Sequence, residues 1–252
     1  MKILRVERWG NSFRIVEFLS SPLGSERHPR PVPKVHNRPR YRDEGDYWED
    51  VFEREESRFD SSIARARSRI RELALCNDWE YFVTLTLSPD KCDRFDLCAF
   101  VKRFGVWVGH YNNKYSCKLS YLMIPEKHPT SGAWHAHALF SGVSPASLVT
   151  NEHGYCDMPY YRNSFGFISL DKIRNKERCS SYISKYVSKE MVETSYELGK
   201  YKHLYYSSRG LARREVVGQG TIENWKSDWY NEFVGISYVD ENTACEVLTK
   251  LH

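Results

Sequence analysis

No stretch of this sequence approaches the roughly 20 consecutive apolar residues that a membrane-spanning helix needs. The opening residues, Met1 to Arg8, also lack the apolar block of a secretory signal. Both absences predict a cytosolic chain, in a host cell's cytoplasm if a phage or plasmid encodes it, with no membrane partner. Seven cysteines (Cys76, Cys92, Cys98, Cys117, Cys156, Cys179 and Cys245) are odd in number and form no Cys-x-x-Cys pair. Neither a disulfide framework nor a zinc finger is indicated. A Gly-x-x-x-x-Gly-Lys-Ser/Thr loop is missing too, so no ATPase or helicase domain is expected. No internal repeat is visible. Charge is nearly balanced, with a net +4, and its position therefore matters more than its sum.

What is present suffices for one large domain or two small ones: 252 residues, 41% of them hydrophobic. Apolar residues on either side of Trp9-Gly10-Asn11-Ser12 predict a hairpin of strands over 2–6 and 13–19. Between Pro22 and Arg42 lie five of the ten prolines, with Arg27, Arg30, Lys34, Arg38, Arg40 and Arg42 against the single acid Glu26. Such a segment forms no packed element and reads either as a solvated linker or as a basic arm. Helical spacing of Trp48, Phe52, Phe59, Ile63, Ala66, Ile70 and Leu73 predicts an amphipathic helix over 47–75, its second half basic through Arg65, Arg67, Arg69 and Arg71. A strand over 81–87, a helix over 94–111 and a strand over 120–126 follow. Later come a strand over 165–170, a basic helix over 174–191 and a short strand over 203–206. These readings divide the chain into an N-terminal hairpin and arm (1–46), a core (47–212) and a C-terminal extension packed on it (213–252).

Two motifs carry chemistry. In Trp134-His135-Ala136-His137-Ala138-Leu139-Phe140 the composition predicts a buried strand, on which His135 and His137 project from one face. Two neutral imidazoles so placed can hold a divalent metal and leave positions open for substrate. The turn residues 128–132 predict a hairpin with the preceding strand. In one of its two registers Glu126 shares the histidines' face and becomes a third ligand. The second motif is Tyr182-Ile183-Ser184-Lys185-Tyr186-Val187-Ser188-Lys189, a doubled Tyr-x-x-Lys. On a helix its tyrosines and lysines occupy one sector of roughly 100°, with Ile183 and Val187 to the side for packing. A phenol is a poor nucleophile at neutral pH, and nearby lysines favour its ionised form, so the face suits attack on phosphorus.

Read together, Phe82-Val83-Thr84-Leu85-Thr86-Leu87, His135-Ala136-His137 and Tyr182 to Lys189 resemble, in order and spacing, the three motifs of the HUH endonucleases that initiate rolling-circle replication. The likeness is to the two-tyrosine branch found in initiators of single-stranded DNA phages and related plasmids. It implies an α/β (α+β) fold in which a mostly antiparallel sheet carries the histidines and helices pack against it. It further implies Mg²⁺ or Mn²⁺ on His135, His137 and Glu126, Tyr186 as principal nucleophile, Tyr182 as its partner, and Lys185 and Lys189 beside them. The implied reaction nicks and rejoins single-stranded origin DNA through a 5′-phosphotyrosine, with helicase and polymerase supplied by the host.

Candidate DNA contacts are Arg65, Arg67, Arg69, Lys172, Arg174, Lys176 and Arg178, with Thr84 and Thr86 beside the motif strand. Competing readings are a relaxase or transposase of a mobile element, a non-catalytic DNA-binding regulator on the same fold, and a nuclease that uses water in place of tyrosine.

Overall fold

The computed structural model describes residues 1–19, 63–150, 154, 156–187, 203–230 and 234–252. Two compact units emerge, one formed by residues 1–58 and 214–252 and the other by residues 59–213. In the first unit β1 (Lys2–Trp9) and β2 (Ser12–Phe18) form the expected hairpin. The second unit contains α1 (63–76), β3 (Tyr81–Thr86), α2 (Leu97–Tyr115), β4 (Ser120–Lys127) and β5 (Trp134–Ser141). It continues with β6 (Val149–Thr150), β7 (Cys156–Asp157), α3 (Pro159–Ser164), β8 (Ile168–Lys172), α4 (Lys176–Ser184) and β9 (Tyr206–Ser207). The chain then returns to the first unit with β10 (Glu215–Ile222), β11 (Trp229–Tyr230), β12 (Val234–Val239) and α5 (Glu241–Lys250).

In the first unit the strand order is β10-β1-β2-β12-β11. Residues from both ends of the chain thus share one antiparallel sheet, whose core is Leu4, Val6, Phe13 and Ile15 packed with Ala244 and Val247 of α5. The Glu7 carboxylate is fully buried on the sheet and is held ionised by Arg14 and by the Trp9 indole N–H, which together outweigh the cost of its burial.

The second unit is the α+β core. Its seven-stranded sheet, ordered β6-β7-β8-β3-β5-β4-β9, is antiparallel throughout and carries the His-x-His strand near its middle. Strand alternation gives the sheet two faces. Val83, Leu85, Met123, Ala136, Ala138 and Phe140 meet α2 and α3 on one, where Phe100, Phe104, Trp107 and Tyr161 fill an aromatic core. Leu122, Ile124 and Leu139 meet α1 and Ile183 of α4 on the other, through Ile63, Ala66, Ile70 and Leu73. The Asp96 side chain caps α2 by accepting from the Ala99 N–H, and Asn175 caps α4 by accepting from Arg178 N–H.

Two expected elements differ. The strand anticipated over 165–170 is regular only from Ile168, because Gly166 interrupts it with φ +145°. Any side chain there would press on the backbone of Thr86 and Ser88. With glycine, Thr86 N–H still bonds Phe167 O and Ser88 N–H bonds Phe165 O, so the β3 register continues past the irregularity. The helix expected over 174–191 closes at Ser184, and the N–H groups of Lys185 and Tyr186 turn to the carbonyls three residues back, a tightened last turn. The first half of the helix expected over 47–75 and the basic arm lie outside the described residues.

Candidate metal centre and tyrosine pair

The β4–β5 hairpin has the register that sets Glu126 directly opposite His135. Cross-strand partners share a face, so the carboxylate joins both imidazoles. Glu126 Oε2 lies 3.0 Å from His135 Nε2 and 3.3 Å from His137 Nε2. One ligand atom from each residue falls within 4.8 Å of the others, a group that can hold a metal ion. The donor chemistry fits a divalent cation: two imidazole nitrogens and one carboxylate oxygen on adjacent strands of a packed sheet. Burial, reinforced by the neighbouring His135, lowers the pKa of His137 to about 4 and keeps its nitrogen unprotonated at neutral pH. Thr84, directly opposite on β3, brings its hydroxyl to 3.5 Å from His137 Nδ1, on the far side of the ring from Glu126.

Tyr186 sits against this group. Its ring stacks on the His137 imidazole, with centroids 3.8 Å apart and planes inclined by 22°. Its hydroxyl donates to Tyr182 Oη across 2.6 Å. Phe82 packs between the two motifs, its ring centroid 5.8 Å from His137 and 5.5 Å from Tyr182. Ile183 and Val187, both fully buried, anchor the segment to the sheet.

Electrostatics at Tyr186 run opposite to the expectation that neighbouring lysines would favour phenolate. Burial, then the hydrogen bond and proximity to Tyr182, then the Glu126 carboxylate all push this phenol above its ordinary value. Lys185 is exposed, and Lys189 lies outside the described residues.

The anticipated DNA contacts separate by environment. Arg67 Nε and Nη2 donate to the Val187 carbonyl at 3.1 and 2.8 Å, tying α1 to the residue after Tyr186. That link was invisible to helical periodicity because it joins residues 120 apart in sequence. Arg69 pairs with Glu72 and Lys176 with Asp78. Arg65, Lys172, Arg174 and Arg178 are exposed. Thr84 and Thr86 lie on β3 opposite His137 and His135, within the site.

Among the described residues no helix is long and apolar enough to cross a membrane. No curated protein and no solved structure gives a significant match to the chain. Residues 80–191, which contain the His-x-His strand, Glu126 and both tyrosines, match the family Replication-associated protein ORF2/gene 2 protein, and this likeness supports a replication initiator.

Proposed function

We propose that the chain nicks and rejoins single-stranded DNA at a replication origin, as a two-tyrosine HUH endonuclease. The observation that carries the reading is the face-to-face contact of Tyr186 with His137, which sets a nucleophile-bearing ring against a Glu/His/His group.

Glu126, His135 and His137 would hold Mg²⁺ or Mn²⁺. Such an ion, when bound, polarises the scissile phosphate and offsets the charge that builds on it. Tyr186 Oη attacks phosphorus. The Tyr186 O–P bond forms as the P–O3′ bond breaks, leaving a 5′-phosphotyrosine and a free 3′-hydroxyl. The phenolic proton passes first toward Tyr182, its hydrogen-bond acceptor, and the balance closes when the departing 3′-oxygen is protonated. Rejoining reverses these bonds and needs no nucleotide cofactor. Tyr182 supplies a second phenol within reach of the same phosphate, and Lys185 and Lys189 flank it. Exposed Arg65, Arg174 and Arg178 contribute sequence-independent phosphate contacts, which makes binding salt-dependent. Strand separation and synthesis fall to a host helicase and polymerase.

The test is covalent capture. Incubation with Mn²⁺ and randomised single-stranded oligonucleotides is expected to give a protein–DNA band that resists denaturant. The band should vanish in Tyr186→Phe and in His135→Ala. Cut strands without a band would favour a water-using nuclease, and binding without cutting a regulator.

A further inference from the structure

The strand registers place four residues in one row across the site face. Thr86 is opposite His135, and His135 is opposite Glu126. The β3–β8 register extended beyond Ile168 by the Thr86 N–H to Phe167 O bond of 2.9 Å puts Phe167 opposite Thr86. Ile168 faces the α2 core, so alternation directs Phe167 to the opposite side, the side of the histidines. Two strand spacings of about 4.8 Å separate it from His135, roughly 10 Å in all.

Phe167 is 51% exposed, although the row it belongs to is otherwise threonine, histidine and glutamate. A lone exposed phenylalanine needs no explanation on an ordinary surface. At the end of a polar row that leads to a phosphate-handling site it has a specific use. A nucleotide whose phosphate lies at the histidines carries its base a sugar's length away, a reach that matches the distance to this ring. Tyr182, equally exposed, has its hydroxyl engaged by Tyr186 and is the less available platform.

We infer that Phe167 is a base-stacking platform that holds an unpaired nucleobase next to the scissile phosphate. The inference rests on the single-stranded DNA reading above. Stacking is tolerant of base identity because every base has a π face, so Phe167 would fix the position of the strand more than its sequence. It would thereby help to exclude duplex, whose bases are already stacked on one another.

The experiment uses the full chain, without added metal so that no strand is cut. Fluorescein-labelled randomised oligonucleotides report affinity by anisotropy, and the same pool carrying 5-iododeoxyuridine is cross-linked by ultraviolet light and mapped by peptide mass spectrometry. The expected result is a cross-link on the peptide containing Phe167, an affinity loss of about tenfold or more in Phe167→Ala, and retention of affinity in Phe167→Trp. Unchanged affinity in Phe167→Ala, with cross-links elsewhere, overturns the stacking role and leaves single-stranded DNA binding standing. Absence of any oligonucleotide binding by the unaltered protein overturns both.

Discussion

The Tyr186 hydroxyl donates its hydrogen bond to the Tyr182 hydroxyl across 2.6 Å, and Tyr182 is the more exposed of the two. A phenol that donates is stabilised in its protonated form, which is one reason Tyr186 holds its proton more tightly than a free tyrosine. Replacing Tyr182 by Phe removes that acceptor. The expected outcome is a fall in the Tyr186 pKa toward the ordinary tyrosine value, read by NMR of ¹³Cζ-labelled tyrosine. First-turnover nicking should persist. An unchanged or higher Tyr186 pKa in Tyr182→Phe contradicts the assignment of donor and acceptor.

His137 gives a pH dependence with a definite sign. Its folded value is about 4 against 6.5 for the free side chain, so between those limits the unfolded chain binds the extra proton. Stability of the metal-free protein therefore falls as pH drops from about 6.5 to about 4, by at most about 3 kcal/mol, and does not depend on this group above that window. Urea denaturation across the window should show a shallower slope in His137→Gln. Equal slopes would mean that burial beside His135 does not outweigh the pull of the Glu126 carboxylate.

Arg67 acts on the tyrosine segment through the Val187 carbonyl. Arg67→Ala is expected to lower the nicking rate at saturating DNA while leaving oligonucleotide affinity nearly unchanged, and Arg67→Lys should restore part of the rate. Stability should change by only about 1 kcal/mol, the usual net worth of such a bond. A loss confined to affinity would instead make Arg67 a phosphate contact, as its place on a basic helix first suggests.

Gly166→Ala tests the continuation of the β3–β8 register. A Cβ at this position would lie 2.6 Å from both Thr86 O and Ser88 N, and the backbone angle is one that alanine rarely adopts. A destabilisation of about 1–3 kcal/mol is expected by thermal unfolding. Amides of Thr86 and Ser88 should lose hydrogen-exchange protection first. A neutral substitution would contradict the tight approach of the two strands.

Local periodicity accounts for what could be read in advance. Strand alternation put His135 and His137 on one side of β5 and grouped Phe82, Thr84 and Thr86 on one side of β3. Helical spacing marked Ile63, Ala66, Ile70 and Leu73 as the packed stripe of α1, and they are buried there. Other features depend on pairings that leave no local trace. The register joining Glu126 to His135 was one of two equally patterned alternatives, and the row ending at Phe167 needs the β3–β8 pairing across a glycine irregularity. The sheet of the first unit joins Lys2 to Ile222, which no window of sequence can reveal. The end of α4 was misread for a different reason. The Tyr-x-x-Lys repeat continues the helical period beyond Ser184, while the backbone tightens into a turn at Lys185 and Tyr186.

The most direct test of the account is to locate the DNA on the protein. After incubation with Mn²⁺ and single-stranded oligonucleotide, the adduct is digested with nuclease and protease, and the nucleotide-bearing peptide is sequenced by mass spectrometry. The account predicts a nucleotide joined through its 5′-phosphate to Tyr186, transferred to Tyr182 only in a second round. Cleaved DNA with both tyrosines unmodified, or an adduct on a residue remote from Glu126, His135 and His137, would contradict it.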